Sequence, residues 1–389
     1  MTAPAAAEGA GIFAVLAELL GQGEAVALAT IVGRRGSTPR EAGTKMLVRS
    51  GGAIIGTVGG GAAEAEICRQ AAAVLQDGRP RLVTVGLTGT LRQPGQGICG
   101  GTFEVYLDPW VVADGSDPAL PLAAAVGARL ADGGPALLAT VIEATGAWAP
   151  GVGGRWLLGA ADAAPLGAPP EDLAVAVAAA APAPGAALPA GPWVRELTAA
   201  DGRGWARVLL DPLLPPDELL VLGGGHVARP LAAIAATCGL RVTVVDDRPQ
   251  FASAERFPGA RVVVADAGRF LADQPPGAQT HVVLLSRGPA QDITALRALL
   301  TAGAGGYVGL IGSERRVWAV LSTLRADGVA PAQLARVHGP VGLDLGGTTP
   351  AEIALEIMAE LVQWRRQGSG EALSTGLHRR LLREAPAAG

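Results

Sequence analysis

The sequence predicts an α/β chain, with an N-terminal α+β part followed by a doubly wound parallel sheet. Three observations carry this expectation. The apolar run Glu218–Leu222 leads through a glycine-rich turn and a helix into a second strand that closes on an acidic residue. Short β-rich runs separated by turns fill the first 110 residues. The 389 residues also exceed one ordinary core, so two or three domains are expected.

Taken in order, a short amphipathic helix (Ile12–Leu20) precedes a strand at Ala25–Val32. Two further runs, Thr44–Val48 and Ala53–Val58, are joined by the hairpin-type turn Ser50-Gly51-Gly52. A helix over Ala62–Gln76 ends at Asp77-Gly78, as a glycine C-cap requires. Strands are expected at Arg81–Val85 and Thr102–Leu107, flanking a glycine-rich loop. The middle region reads as a degenerate tandem copy of this unit. Leu28-Ala29-Thr30 recurs as Leu138-Ala139-Thr140. At the same offset Gly36, Gly43, Lys45 and Leu47 meet Gly146, Gly153, Arg155 and Leu157. Both units close alike, on Leu107-Asp108-Pro109 and Leu210-Asp211-Pro212. An unrelated α/β insert is the alternative. The expected division is residues 1–110, 111–216, 217–370 and a tail over 371–389, with Pro212–Pro216 marking the main boundary.

In the C-terminal part, Gly223-x-Gly225-x-x-Ala228 follows a strand and opens a helix, and Asp246 stands about 20 residues later. This is the fingerprint of a Rossmann-type domain. Gly223 and Gly225 let backbone approach a pyrophosphate, whose charge sits on the helix N-terminus. Asp246 is expected to accept hydrogen bonds from a ribose hydroxyl and to repel a 2′-phosphate, so NAD or another nucleotide is the candidate ligand. His226 either faces that ligand or is simply a polar helix-start residue. Asp247-Arg248-Pro249 reads as a solvated turn, and Ser286-Arg287-Gly288 and Gly312-Ser313 lie just past strand ends where ligands bind. Further strands are expected at Arg261–Ala265, His281–Ser286 and Tyr307–Ile311, and Thr349-Pro350-Ala351-Glu352 has the spacing of a capping box.

Composition excludes several functions. Net charge is −4 with 17% charged residues, which gives no footprint for nucleic acid, and 4% aromatics give no base-stacking platform. Cys68, Cys99 and Cys238 lack C-x-x-C spacing, against a disulfide framework or structural zinc. No basic segment precedes an apolar core near Met1, and apolar runs such as Leu173–Ala181 are too short for a bilayer. A cytoplasmic protein that contacts neither nucleic acid nor membrane is expected.

Four features of the first unit suggest an anion pocket with a thiol beside it. They are the basic loop Arg34 to Arg40, containing Arg35, Ser37, Thr38 and Arg40; Lys45; the turn Gly59-Gly60-Gly61 at a helix start; and Cys99-Gly100-Gly101. Helix N–H groups and dipole favour an anion there, and positive surroundings favour the thiolate of Cys99. A solvated loop and an inert buried thiol are the plainer alternatives.

These segments, with Gly56-Thr57-Val58, Val244-Val245-Asp246-Asp247-Arg248 and Gly339-Pro340-Val341-Gly342-Leu343-Asp344, resemble the XdhC/CoxI family of xanthine dehydrogenase accessory factors. The resemblance implies a chaperone that binds the molybdenum cofactor (molybdopterin), protects it during sulfuration, and delivers it to a molybdenum hydroxylase apoenzyme. A cysteine desulfurase would supply the sulfur, and a homodimer is expected. Cys99 would ligate molybdenum or relay sulfur. Many members carry a cysteine directly after the triple glycine, where this chain has Ala62. That departure leaves Cys99 as the main sulfur candidate, because Cys68 lies one to two helical turns further on. Two alternatives stay open: an NAD(P)-dependent oxidoreductase, and a non-catalytic nucleotide-binding scaffold. Against the first, His226, His281, His338 and His378 offer no convincing catalytic dyad.

Overall fold

The computed structural model describes residues 11–36, 38, 40–86, 101–112, 118–159, 169–183, 186, 188–189, 191–303 and 306–375. It divides into two compact units, Met1–Pro216 and Asp217–Gly389.

In the first unit, α1 (Gly11–Gly21) leads into β1 (Val26–Arg35), β2 (Lys45–Arg49) and β3 (Ile54–Gly56). Then come α2 (Gly61–Asp77), β4 (Arg81–Gly86) and β5 (Thr102–Trp110). The strands form an antiparallel sheet in the order β3-β2-β1-β5-β4. The second half follows with α3 (Ala119–Ala131), β6 (Ala136–Gly146), β7 (Arg155–Leu158), α4 (Glu171–Ala179), β8 (Trp193–Thr198) and β9 (Gly204–Leu213). Its sheet order, β7-β6-β9-β8, repeats that of the first half without a counterpart of β3 among the described residues.

Why β1 and β6 sit centrally is visible in their side chains. Val26–Val32 and Ala136–Ile142 are buried at every position, so both faces of each strand are covered. Successive side chains point to opposite faces. Ala27, Ala29 and Ile31 meet Ala63, Ile67, Ala71 and Val74 of α2, spaced three or four residues apart on one helical stripe. Val26 and Leu28 share a core with α1 and α3. Both central pairings slip by one residue at the same place, between Ile31 and Gly33 in β1 and between Val141 and Glu143 in β6. The extra residue of a bulge is re-aimed. Here Val32 and Ile142 pack together with Tyr106 and Leu209, joining the two halves.

Two buried ion pairs join them as well, and they are reciprocal. Lys45 Nζ of β2 lies 2.7 Å from Asp211 of β9. Arg155 of β7 grips Asp108 of β5, with Nε at 2.7 Å. Trp110 donates to the same carboxylate at 3.0 Å and receives the Arg155 guanidinium over its ring at 4.4 Å. Burial pushes the Asp108 carboxyl up from its ordinary range, against the opposing pull of Arg155.

The second unit comprises β10 (Glu218–Leu222), α5 (Ala228–Thr237), β11 (Arg241–Asp246), β12 (Arg261–Val264), α6 (Ala267–Asp273) and β13 (Thr280–Leu284). It continues with α7 (Pro289–Thr301), β14 (Val308–Leu310), α8 (Glu314–Ala326), α9 (Pro331–Leu334), β15 (Val337–His338) and α10 (Pro350–Arg366). All six strands are parallel, in the order β12-β11-β10-β13-β14-β15. That is the doubly wound Rossmann order. One face is covered by α5 and α10, the other by α6, α7 and α8. The fold class therefore matches the expectation. The sixth strand was not legible in the sequence, because two residues carry no periodicity. The capping box is present: Thr349 accepts from Glu352 N, and Glu352 reaches back to Thr349 N at 2.8 Å.

Candidate functional site

Strand directions gather the first unit's motifs on one sheet edge. Thr30 of β1 pairs with Lys45, Met46 with Gly56, and Arg35 with Thr102. Gly86, the last residue of β4, also pairs with Thr102. The end of β1, the turn after β3, and both flanks of the segment carrying Cys99 thus share an edge. Arg34 and Arg35 are the last residues of β1 itself rather than of a loop, and both are exposed. Neither has an ion-pair partner among the described residues. Thr38 Oγ1 donates to the Arg40 carbonyl at 3.0 Å, which tightens the following turn. Ser37, Cys99 and Gly100 lie outside the described residues; Gly101 is described and buried.

Gly59, Gly60 and Gly61 have φ of 130°, 75° and 66°, a left-handed run that side chains resist. A Cβ on Gly60 or Gly61 would meet nothing within 4 Å among the described residues, which leave open space beside the start of α2. Part of the expected cradle is already used. The Glu64 carboxylate accepts from Thr57 Oγ1 at 2.7 Å and from the N–H groups of Val58 and Gly60 at 3.3 Å each. Gly59 N–H donates to Thr57 Oγ1 at 3.1 Å. The first-turn amides of α2 have no side-chain cap among the described residues. Sequence reasoning overlooked Glu64; an acid three residues into a helix after a glycine turn was the available signal.

Lys45 requires a correction. It was expected in the anion pocket, but its side chain is 3% exposed and ion-paired with Asp211. Its charge is neutralised inside the fold. Cys68 is no stand-in for the missing cysteine. It is half-buried on α2, and burial together with Glu64 pushes its thiol up, away from thiolate.

The second unit carries a cleft of about 210 Å³ past the C-terminal ends of β10, β11 and β13. There the strand order reverses, which is where open α/β sheets bind ligands. The three glycines of the first turn differ in role. A Cβ on Gly223 would approach the Leu285 carbonyl oxygen to 2.5 Å, and one on Gly224 the Phe251 carbonyl oxygen to 2.3 Å. One on Gly225 would meet nothing within 4 Å. No protein neighbour among the described residues demands glycine at 225, and its bareness leaves room at the start of α5 for a bound group. His226 beside it is exposed.

Asp246 lines this cleft and is tied into the glycine turn. Its Oδ1 accepts from Arg248 N at 3.0 Å and Arg248 Nε at 2.9 Å. Its Oδ2 accepts from Gly224 N at 2.8 Å and Arg248 Nη2 at 2.9 Å. A carboxylate offers about four acceptor positions, and all are taken. Asp246 thereby fixes the glycine turn, and two of its four donors come from the Arg248 side chain, which is 23% exposed. Burial alone would raise its pKa; the Arg248 and Gly224 bonds outweigh it and hold the carboxyl at about 2. The expected solvated turn is seen at Asp247 and Pro249, which are exposed, while the Arg248 guanidinium lies 3.6 Å from the Phe251 ring centre. Among the described residues no cluster of three metal-binding side chains occurs, and no helix is long and apolar enough to cross a membrane.

Comparison with known proteins agrees with both units. Residues 19–86 match the XdhC and CoxI family, and residues 219–361 match the XdhC Rossmann domain. The uncharacterized protein YqeB of Escherichia coli (strain K12) is 24% identical over 367 residues, covering 94% of this chain and 48% of YqeB. A probable xanthine dehydrogenase subunit from Bacillus subtilis (strain 168) is 30% identical over 154 residues, 39% of this chain and 44% of that protein. The chain thus spans about half the length of the curated relatives it matches. A crystal structure of a xanthine dehydrogenase from Bacillus halodurans shares the fold, with a TM-score of 0.70 at 22% identity over 94% of this chain and 99% of that one.

Proposed function

We propose that this chain, which belongs to the XdhC and CoxI family, is a maturation factor that holds the molybdenum cofactor at the loop edge of its first sheet. What carries this reading is the convergence there of three features: two arginines without ion-pair partners among the described residues, an open glycine turn at a helix start, and both flanks of the Cys99 segment. Molybdopterin bears a phosphate and an anionic oxo-dithiolene centre. Arg34 and Arg35 would neutralise that charge, and the first-turn amides of α2 would receive the phosphate. Arg40 and Thr38, with Ser37 beside them in the sequence, are further candidates to contact the same cargo. Cys99 would ligate the metal or relay sulfur during exchange of an oxo ligand for sulfur. The loaded chain would then pass its cargo to a molybdenum hydroxylase apoenzyme of the xanthine or carbon monoxide dehydrogenase type, with a cysteine desulfurase as sulfur source.

A second reading concerns the other unit and rests on Gly225: a nucleotide in the Rossmann cleft, its phosphates on the start of α5. This favours binding over hydride chemistry, since no histidine is among the residues lining the cleft. The thiol role is tested by activating the partner hydroxylase with wild type and Cys99→Ala. Loss of activation with retained folding is expected; full activation by the variant contradicts the role.

A further inference from the structure

Helix α8 buries Val317, Val320 and Leu324 on one stripe, which packs into the core on its side of the parallel sheet. Trp318 lies off that stripe and is 71% exposed. It alone among the chain's seven tryptophans is exposed; Trp110, Trp148 and Trp156 are buried and the other three half-buried. Scattered apolar side chains at a surface are ordinary, but this indole does not stand by itself. Arg315 precedes it by three residues and Arg325 follows by seven, with Ser322 between, so the four share one helical face. Both arginines are exposed, and neither has an ion-pair partner among the described residues. Nearby cations differ in this respect: Arg316 pairs with Asp292, and Arg297 of α7 with Asp327 just past the end of α8. Glu314 is the only acid within α8 and sits in its first turn, where the helix dipole favours it. Ala319 and Ser322, next to the indole, are small and leave a partner's surface free to close over it.

Tryptophan and arginine are the side chains that most often dominate the energy of protein interfaces. Charge then selects the occupant. A two-fold contact between copies of this chain would set Arg315 and Arg325 against the same two cations of the other copy. A surface with carboxylates around an apolar recess satisfies both guanidiniums and the indole together. We propose that the Arg315, Trp318 and Arg325 face of α8 docks onto an acidic patch of the client enzyme, with Trp318 inserted into an apolar recess within that patch. The proposal rests on the reading of the chain as a maturation factor, whose cargo must pass to a molybdenum hydroxylase apoenzyme. One helix face suits that encounter, since transient contacts are the small ones.

Titration of the full chain onto immobilised molybdenum hydroxylase apoenzyme from the same cells tests this. Trp318→Ala should weaken binding about tenfold or more. Arg315→Glu/Arg325→Glu should do likewise, and should flatten the fall in affinity between about 50 and 300 mM salt. Arg241→Glu, an exposed charge reversal at the start of β11, should bind as wild type does. Thermal midpoints should stay close to wild type throughout, because every altered site is exposed. Undiminished binding by either α8 variant overturns the proposal. So does a dimer in sedimentation that Trp318→Ala dissolves, which would assign the face to a second copy. Wild-type chain that binds no apoenzyme overturns it together with the client reading. Pterin retention, measured on the same preparations, reports on the first sheet, so the cargo reading stands or falls separately.

Discussion

Where β1 ends in Arg34-Arg35 and the chain passes Gly36 and Thr38, the second half of the same unit has Ala144, Thr145, Gly146 and Trp148. Trp148 is buried, donates its indole N–H to Asp172 at 2.7 Å, and lies so close to Gly204 that a Cβ there would meet its ring at 2.7 Å. The equivalent helix, α4, starts after Pro170 with Glu171 and Asp172 rather than with three glycines. Among the described residues, one half presents two exposed arginines and open space at this edge, and the other fills it with an indole. Their frames agree in strand order, bulge position and reciprocal ion pairs. We infer that they are copies of one unit, one kept for binding and one for support.

The largest expected effect comes from breaking the shared frame. Lys45→Met leaves Asp211 buried and uncompensated, and should cost about 3–5 kcal/mol in chemical denaturation. The double variant Lys45→Met/Asp211→Leu should regain most of that loss. Recovery would sharpen the view of Lys45 as frame, and no loss in the single variant would break it. Next, Arg34→Glu/Arg35→Glu should reduce molybdopterin retention tenfold or more while changing stability by less than about 0.5 kcal/mol per exposed site. Ala144→Glu/Thr145→Glu, the mirrored change, should leave retention intact. Equal losses from both would erase the distinction between the halves. Smaller again, Glu64→Gln weakens the internal acceptor of the glycine turn and should cost about 1 kcal/mol, as lost caps do.

Acid should distinguish the two compact units. Asp246 is held at about 2, below its ordinary 3.8. Its contribution is therefore present above about pH 4 and lost as pH falls to about 2. Asp217 and Glu360 of the same unit are lowered too, whereas Asp108 of the first unit is raised. The second unit's stability should fall between about pH 4 and 2, and Asp246→Asn should flatten that limb of a denaturation-versus-pH series.

Much of this was readable from residues alone. The repeat of Lys45 as Arg155 and of Asp108 as Asp211 was plain, but a repeat shows equivalence, not contact. That each cation crosses to the other half's aspartate depends on how the two sheets face each other. Position 246 was identified by spacing from the glycine turn. Its pairing with Arg248 depends on a turn that folds the guanidinium back two residues, which no periodicity encodes. Asp247 and Arg287 lie 40 residues apart and meet only because β11 and β13 both flank β10.

The central claim, that the first sheet's open edge holds molybdopterin, is tested most directly by mass spectrometry of small molecules released from natively purified chain, expressed with a cofactor supply. Release of a pterin from wild type, depleted in Arg34→Glu/Arg35→Glu and retained in Ala144→Glu/Thr145→Glu, is the predicted result. Wild-type chain that releases a dinucleotide alone, or nothing, would contradict it.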